Sequence, residues 1–381
     1  GVITFNSADI IALMLMINFT LGRYLKGQLK FIWVNHLMWI GLISIFLTIV
    51  LGWFIGWLYF DSNEWATTNR LMGFIIALSF LFSGAAMRFH ISQEMLVKFG
   101  FVLAFSFIFS AFYKIILFNL NGINFITIYN WKSSIQGFMG DRNAFCFLGA
   151  VCSTFIAYNL RLSDVNNKST KIATTLLSII TILLIYSGSR TGLGAAIFIG
   201  IYIVLFLNKH TLLIMLVSIS MVSFLESVNF FVSKATYGIS VLDGRDLTAT
   251  FIVDDVRGDS WTSGLKIFLE NPFFGGGLGS NIRQSGVVIH NVWVWIISEM
   301  GLVGILLCIP IGLAFVKTIW KRLYKMNIPL SQNSQLHGTI LFIIIFGGFS
   351  LFQDIAYQRI LWLMLGFIMA TSFNDKKKIE N

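Results

Sequence analysis

The sequence predicts an all-α polytopic membrane protein, and three observations carry that prediction. Of the 381 residues, 56% are hydrophobic and only 12% are charged. Continuous apolar runs, close to the roughly 20 residues that cross about 30 Å of hydrocarbon, recur from end to end. The runs are unbroken, whereas a transmembrane β-strand alternates polar and apolar residues over about ten positions. The pattern therefore excludes a soluble enzyme and an outer-membrane barrel.

The apolar runs predict about eleven membrane-spanning helices within a single integral membrane domain, residues 1–381. The predicted spans are 8–22, 31–60, 71–87, 99–119, 144–160, 172–187, 191–207, 211–231, 289–316, 338–352 and 359–373. The run 31–60 is long enough to tilt strongly in the bilayer or to include a re-entrant piece.

The basic residues in the short loops predict the orientation. Alternation through the spans brings one group to the same side: Arg23, Lys26, Lys30, Arg88, Lys98, Arg161, Lys168, Lys171, Lys209, Lys317, Lys321, Arg322, Lys325 and Lys376–Lys378. Because Lys and Arg concentrate in cytoplasmic loops, this side is predicted to be cytoplasmic. The longest loop, 232–288, then faces outward, and its length indicates a function.

Arg190 lies on the predicted outward side, against this charge rule. It belongs to SGSRTG (187–192), a tight link between two predicted spans. A cation at the edge of hydrocarbon normally faces a polar partner, and a guanidinium suits bidentate contact with phosphate. The residues alone allow two interpretations: an anion-binding arginine, or an interfacial arginine that snorkels or pairs with an acid. Arg142 and Arg283 are also predicted to face outward.

The long outward loop ends in a segment that begins at Arg257. This arginine follows Asp254 and Asp255, so it is either available for an anion or paired within the loop. An amphipathic helix is predicted next, with an apolar face formed by Trp261, Leu265, Phe268 and Leu269. The glycine-rich stretch 275–279 then predicts a sharp turn, for which a structural role is favoured over phosphate binding.

His290 directly precedes the predicted span that follows this turn, with Asn291 beside it. A histidine is the natural proton acceptor near neutral pH, although a polar cap at the helix start is the alternative. Asn291 either orients a ligand or caps the helix. No residue pattern indicates a metal site, an organic cofactor or nucleic-acid binding, so none is predicted.

Several motifs, in this order, resemble the O-antigen ligase/polymerase family of bacterial membrane glycosyltransferases. They are SGSRTG (187–192), Arg257 with Trp261, LENPFFGGGLGS (269–280) and IHNVWVWIISEMGLVG (289–304), and the stretch Gly137–Asn143 is also similar to the family's pattern. The resemblance implies a bundle of the GT-C type with about twelve helices. It also implies a location in the inner membrane and an active site facing the periplasm.

The chemistry implied by this resemblance is transfer of a glycan from undecaprenyl pyrophosphate to an acceptor sugar hydroxyl, without a metal or a nucleotide sugar. By position, Arg190 and Arg257 match the arginines that hold the pyrophosphate. His290 matches the histidine that activates the acceptor hydroxyl or orients the donor. Further candidate substrate-binding residues are Arg142, Arg283 and Asn291.

Two activities within the family, polymerase and ligase, fit these motifs equally well. A polymerase extends the lipid-linked chain by repeat units, and a ligase moves finished chains onto lipid A–core. A composition rich in Phe, Ile and Asn favours the polymerase, which would also meet membrane lipids and a chain-length regulator. A transporter of lipid-linked oligosaccharide is the alternative from a different class, and it predicts charged residues near the bilayer midplane.

Overall fold

The computed structural model describes residues 7–29, 32–60, 64–120, 142–159, 168–187, 189–206, 260–286, 288–325 and 334–370. These residues are mostly helical, and the only β pairing among them is an isolated bridge between Trp33 and Ala370. Six of the helices are long and apolar enough to cross a membrane. The predicted class, an all-α polytopic membrane protein, is confirmed.

The helices in chain order are α1 (Ser7–Leu25), α2 (Leu37–Phe60), a π-helical segment (Ala66–Leu71), α3 (Met72–His90), α4 (Gln93–Leu120), α5 (Arg142–Asn159), α6 (Lys168–Tyr186), α7 (Arg190–Phe206), α8 (260–270), α9 (Ser280–Ser285), α10 (Val292–Lys325), α11 (Ser334–Phe352) and α12 (Arg359–Met369). Ten of the predicted spans correspond to helices in this set. The predicted span 211–231 and the loop from 232 to 259 lie outside the described residues.

Helix α2 begins later than the predicted span 31–60, and the reason is local. Asn35 accepts a hydrogen bond from the Leu37 N–H through its side chain at 3.2 Å, so it caps the helix. The residue two positions earlier, Trp33, pairs with Ala370. Residues 32–36 therefore form a packed connection, and the helix starts at Leu37.

The helices form two compact units. The first unit contains α1, α2, the π-helical segment, α3, α8, α9, α10 and α12. The second contains α4 to α7 and most of α11. His290 belongs to the first unit and Arg190 to the second.

Ion pairs and polar contacts define the two ends of the first unit. Asp9 is buried at the start of α1 and accepts a hydrogen bond from Arg359 Nη2 at 2.7 Å, which ties it to the start of α12. We call this end of the unit, where α1 and α12 begin, the first end. At the opposite end, Lys321 Nζ donates to the Val34 carbonyl at 2.9 Å. Lys321 is one of the residues predicted to be cytoplasmic. Its place at the end opposite to Asp9 and Arg359 agrees with the predicted alternation of the spans across the membrane.

Glycines allow α3 and α12 to touch through their backbones. A Cβ atom on Gly84 would lie 1.9 Å from the Leu363 carbonyl oxygen, and one on Gly366 would lie 1.8 Å from the Leu81 carbonyl oxygen. Helices in a membrane associate by close packing of small residues, because lipid offers no hydrophobic driving force between them. The α3–α12 pair is therefore built on these two glycines.

We expect Gly84→Ala to destabilise the protein by about 1–3 kcal/mol, since the new methyl group forces the helices apart. Gly22→Ala in α1 is the matched control, because a Cβ atom there meets nothing within 4 Å. The control should be neutral or stabilising by about 0.5–1 kcal/mol. Thermal unfolding of the purified variants in detergent measures both effects, and equal unfolding midpoints for the two would contradict this packing.

The second unit is held together by similar close contacts. Phe107 of α4 stacks on Phe145 of α5 with ring centroids 4.4 Å apart. A Cβ atom on Gly338 of α11 would lie 2.4 Å from Tyr158 Cα of α5. Helix α5 is therefore central to this unit, and its first turn carries the candidate residue Arg142.

Candidate functional site

His290 lies in a short non-helical stretch before α10, and its side chain is exposed. Both chain neighbours, Ile289 and Asn291, are buried. The Asn291 side-chain oxygen accepts the N–H groups of Trp293 at 2.9 Å and Val294 at 3.0 Å, so this residue caps α10. Its amide nitrogen donates to the Leu351 carbonyl at 2.7 Å. Two buried anchors thus present an exposed imidazole at the first end of the unit.

These bonds give Asn291 a structural role. The sequence left a cap and a ligand contact as alternatives, and the cap is observed. Substrate binding by Asn291 stays a prediction. The side chain already makes these three intramolecular hydrogen bonds.

Helix α8 packs against the same stretch through a glycine. A Cβ atom on Gly264 would lie 2.8 Å from Ile289 Cδ1 and 3.0 Å from Val294 Cγ1. The predicted amphipathic helix is present, but its inner side is formed by Gly264 and Ile267, whereas Leu265 and Leu269 are exposed. Arg257 lies outside the described residues, three positions before α8 begins.

The glycine-rich turn 275–279 is a packed structural turn. Gly275, Gly277 and Gly279 have positive φ values, which favour glycine. The turn donates three hydrogen bonds to other segments: Gly276 N–H to the Ser298 carbonyl at 2.9 Å, Leu278 N–H to the Gly52 carbonyl at 2.8 Å, and Gly279 N–H to Glu299 Oε2 at 3.0 Å. These N–H groups face protein acceptors, so the favoured structural interpretation of this turn is supported.

Helix α10 is interrupted where the turn meets it. Gly301 has φ 62° and ψ −160°, and a Cβ atom there would lie 2.5 Å from the Phe273 carbonyl oxygen. The N–H groups of the next two residues, Leu302 and Val303, donate to the Pro272 and Phe273 carbonyls at 2.9 and 3.0 Å. Irregular backbone at membrane depth is tolerated where protein groups satisfy it. The turn therefore fills the break and leaves 292–300 as a short separate helical segment.

Arg70 lies close to this segment and is almost fully buried in the first unit. Its Nη1 is 2.8 Å from Asp354 Oδ2, in the connection between α11 and α12. The guanidinium carbon lies 4.7 Å from the ring centroids of Trp295 and Tyr357. Opposite charge and aromatic faces together compensate the cost of burying a cation. The ion pair joins the π-helical segment before α3 to the connection between α11 and α12, and the contact with Trp295 links both to the segment that follows His290.

The acidic residue Glu299 and the phenol of Tyr357 complete this cluster. Glu299 is buried, and its Oε2 accepts a hydrogen bond from Trp295 Nε1 at 2.7 Å. Burial raises the pKa of the Tyr357 phenol, so that this side chain is neutral beside Arg70. We call Arg70, Glu299, Trp295, Asp354 and Tyr357 the buried polar cluster.

Arg283 is exposed at the end of α9 and binds the end of α2. Its Nη1 donates to the Phe60 carbonyl at 3.0 Å, and the guanidinium carbon lies 5.2 Å from the Phe60 ring centroid. A basic side chain that binds the last carbonyl of a helix acts as a C-terminal cap. Substrate binding by Arg283 remains a prediction.

In the second unit, two of the motifs noted in the sequence meet at the start of α7. Asn143 Oδ1 accepts hydrogen bonds from the hydroxyl groups of Ser189 at 2.6 Å and Thr191 at 3.3 Å. Ser189 Oγ also accepts the Gly192 N–H at 3.3 Å, which caps the helix. The backbone of Arg190 is thus fixed between two residues bonded to Asn143. Arg142, the residue before Asn143, is exposed.

Each unit therefore collects part of the predicted site. The first unit contains His290, Asn291 and the buried polar cluster, and the second contains Arg142 and the start of α7. The sequence did not identify the cluster as part of the site. The one available signal was Glu299, an acid inside a predicted span.

Comparison with known proteins supports the family resemblance. Residues 174–309 match a family model described as O-antigen ligase. The match covers a little over a third of the chain and includes Arg190, Arg257, Arg283, His290 and Asn291. It supports a function of the O-antigen ligase/polymerase type and does not distinguish a ligase from a polymerase. A search of curated proteins found no match.

Proposed function

We propose that the chain is a metal-independent glycosyltransferase of the inner membrane whose active site faces the periplasm. It polymerises oligosaccharide repeat units carried on undecaprenyl pyrophosphate into O-antigen or a related surface polysaccharide. One observation carries the proposal: an exposed histidine is presented by buried anchors at the start of an interrupted membrane helix, within the region that matches the O-antigen ligase model.

In the proposed reaction, the acceptor hydroxyl attacks the anomeric carbon of the donor glycan. The bond between that carbon and the pyrophosphate oxygen breaks, and its electron pair leaves with the pyrophosphate. A neutral imidazole near the attacking oxygen accepts the hydroxyl proton, and His290 has the exposure that this role requires.

The arginines have the complementary task of stabilising the leaving group. Negative charge develops on the pyrophosphate as the bond breaks, and guanidinium groups aimed at it lower the barrier. Arg190 and Arg257 are the proposed pyrophosphate ligands. Arg142 and Arg283 are proposed as additional contacts with the donor or the acceptor, since both side chains are exposed.

The loop 232–288 is proposed to cover the reacting groups and exclude water, which would otherwise hydrolyse the donor. Support comes from its last part, where Gly264 of α8 abuts Ile289, the residue before His290.

A ligase is the second candidate, because it uses the same donor and the same chemistry with lipid A–core as the acceptor. A transporter of lipid-linked oligosaccharide is the candidate from a different class. The exposed candidate residues His290 and Arg142 lie at helix starts, which favours chemistry at one face of the bilayer over passage through its midplane.

A lipopolysaccharide gel from a strain that lacks this chain, run beside its lipid-linked intermediates, tests the proposal. For a polymerase we expect core capped with a single repeat unit. Bare core with long chains stranded on the carrier lipid would instead identify a ligase. An unchanged ladder with unchanged lipid-linked intermediates would contradict both.

A further inference from the structure

Glu299 is a buried carboxylate inside a membrane-spanning helix, and the proposed chemistry does not use it. It is 2% exposed and lies within the span Val292–Lys321. Ionisable side chains at this depth are costly to bury and are usually retained for a functional reason. The contacts of Glu299 indicate what that reason is.

One oxygen of this carboxylate holds donors from two separate segments. Glu299 Oε2 accepts the Gly279 N–H at 3.0 Å and the Trp295 indole N–H at 2.7 Å. Gly279 ends the glycine-rich turn, and Trp295 lies one helical turn closer to His290. The carboxylate therefore fastens the turn to the helical segment that the histidine precedes.

That segment, 292–300, is fixed at both of its ends. Its start is held by the Asn291 cap and by the bond from Asn291 to the Leu351 carbonyl. Its other end is set by the break at Gly301 and by the bond from Gly276 N–H to the Ser298 carbonyl. The segment is shorter than three helical turns, so the contacts of Glu299 and the cap beside His290 belong to one short helical piece.

We propose that Glu299 is a positioning residue for His290. It acts through Gly279 and Trp295, and it sets the position of segment 292–300 relative to the glycine-rich turn. Arg70 also contacts Trp295, with its guanidinium carbon 4.7 Å from the indole ring centroid. The inference rests on the proposed function, in which His290 accepts the proton.

Two substitutions test this role in a transfer assay that reports kcat and KM separately. Glu299→Leu removes the oxygen that accepts both hydrogen bonds, whereas Glu299→Gln keeps one amide oxygen. We expect Glu299→Leu to lower kcat by about 10- to 100-fold with KM within about twofold, because misplacing a reacting group by about 1 Å costs up to about 100-fold in rate. Glu299→Gln should lose several-fold less. Glu94→Gln, at an exposed glutamate in α4, should match the wild type.

Coupling to His290 separates a positioning role from a merely structural one. In a His290→Ala background, Glu299→Leu should cause no further loss of rate, since the group that Glu299 positions is gone. An equal fractional loss in both backgrounds would overturn the proposal. So would wild-type kcat in folded Glu299→Leu, or in Glu299→Gln if the leucine variant does not fold. Full transfer by His290→Ala alone would instead refute the proposed role of His290, whatever Glu299 does, and no transfer by the wild-type chain would refute the proposed function itself.

Discussion

The His290→Ala variant is expected to transfer glycan about 10²- to 10⁴-fold more slowly than the wild type, the usual contribution of a general base. The exposed imidazole makes no contact that the fold depends on, because the neighbouring residues Ile289 and Asn291 provide the buried anchors. The variant should therefore keep the unfolding midpoint of the wild type. Transfer is measured with purified protein in lipid vesicles, with lipid-linked glycans extracted from the strain that lacks this chain as substrate.

His36→Ala is the matched control for this loss. His36 is likewise exposed, and it immediately follows Asn35, the cap of α2 at the opposite end of the first unit. Its replacement should leave the rate unchanged. If His290→Ala transferred glycan at the wild-type rate, the assignment of the proton acceptor would be wrong.

The second large effect is expected on stability. Arg70→Met should destabilise the protein by about 3–5 kcal/mol, because it leaves the Asp354 carboxylate buried without its partner. Methionine fills part of the space between Trp295 and Tyr357 but supplies no charge. Thermal unfolding in detergent measures the loss.

Two further variants make the Arg70 prediction specific. Lys98→Met removes an ion pair of the same kind whose side chains are 64% and 79% exposed, so it should cost no more than about 1 kcal/mol. Arg70→Met combined with Asp354→Leu should be more stable than Arg70→Met alone, since the bare carboxylate is gone. A double variant less stable than either single one would contradict the account of a charge-compensated cluster.

The membrane-spanning helices could be predicted from the sequence because long apolar runs have few alternatives in a bilayer. The exception at α2 is instructive. Hydropathy cannot distinguish a packed apolar connection from a helix, so the span 31–60 was extended over Trp33, which pairs with Ala370. The break at Gly301 was missed for the same reason, since apolar residues flank it on both sides.

Only part of the candidate site could likewise be predicted from the sequence. His290, Arg142 and the start of α7 were identified because local motifs mark them. The Arg70–Asp354 pair could not be predicted, because the two residues are 284 positions apart and no periodic pattern links them. The sequence also could not choose between the two roles of Asn291, since a cap and a ligand contact require the same residue at the same place.

The most direct test of the central claim is turnover by the purified wild-type chain in lipid vesicles, with those lipid-linked glycans as substrate. We predict longer lipid-linked glycans and one undecaprenyl pyrophosphate released for each unit added, at a rate that EDTA does not change. Movement of intact lipid-linked glycan across the vesicle membrane, without release of pyrophosphate, would contradict the account and identify a transporter.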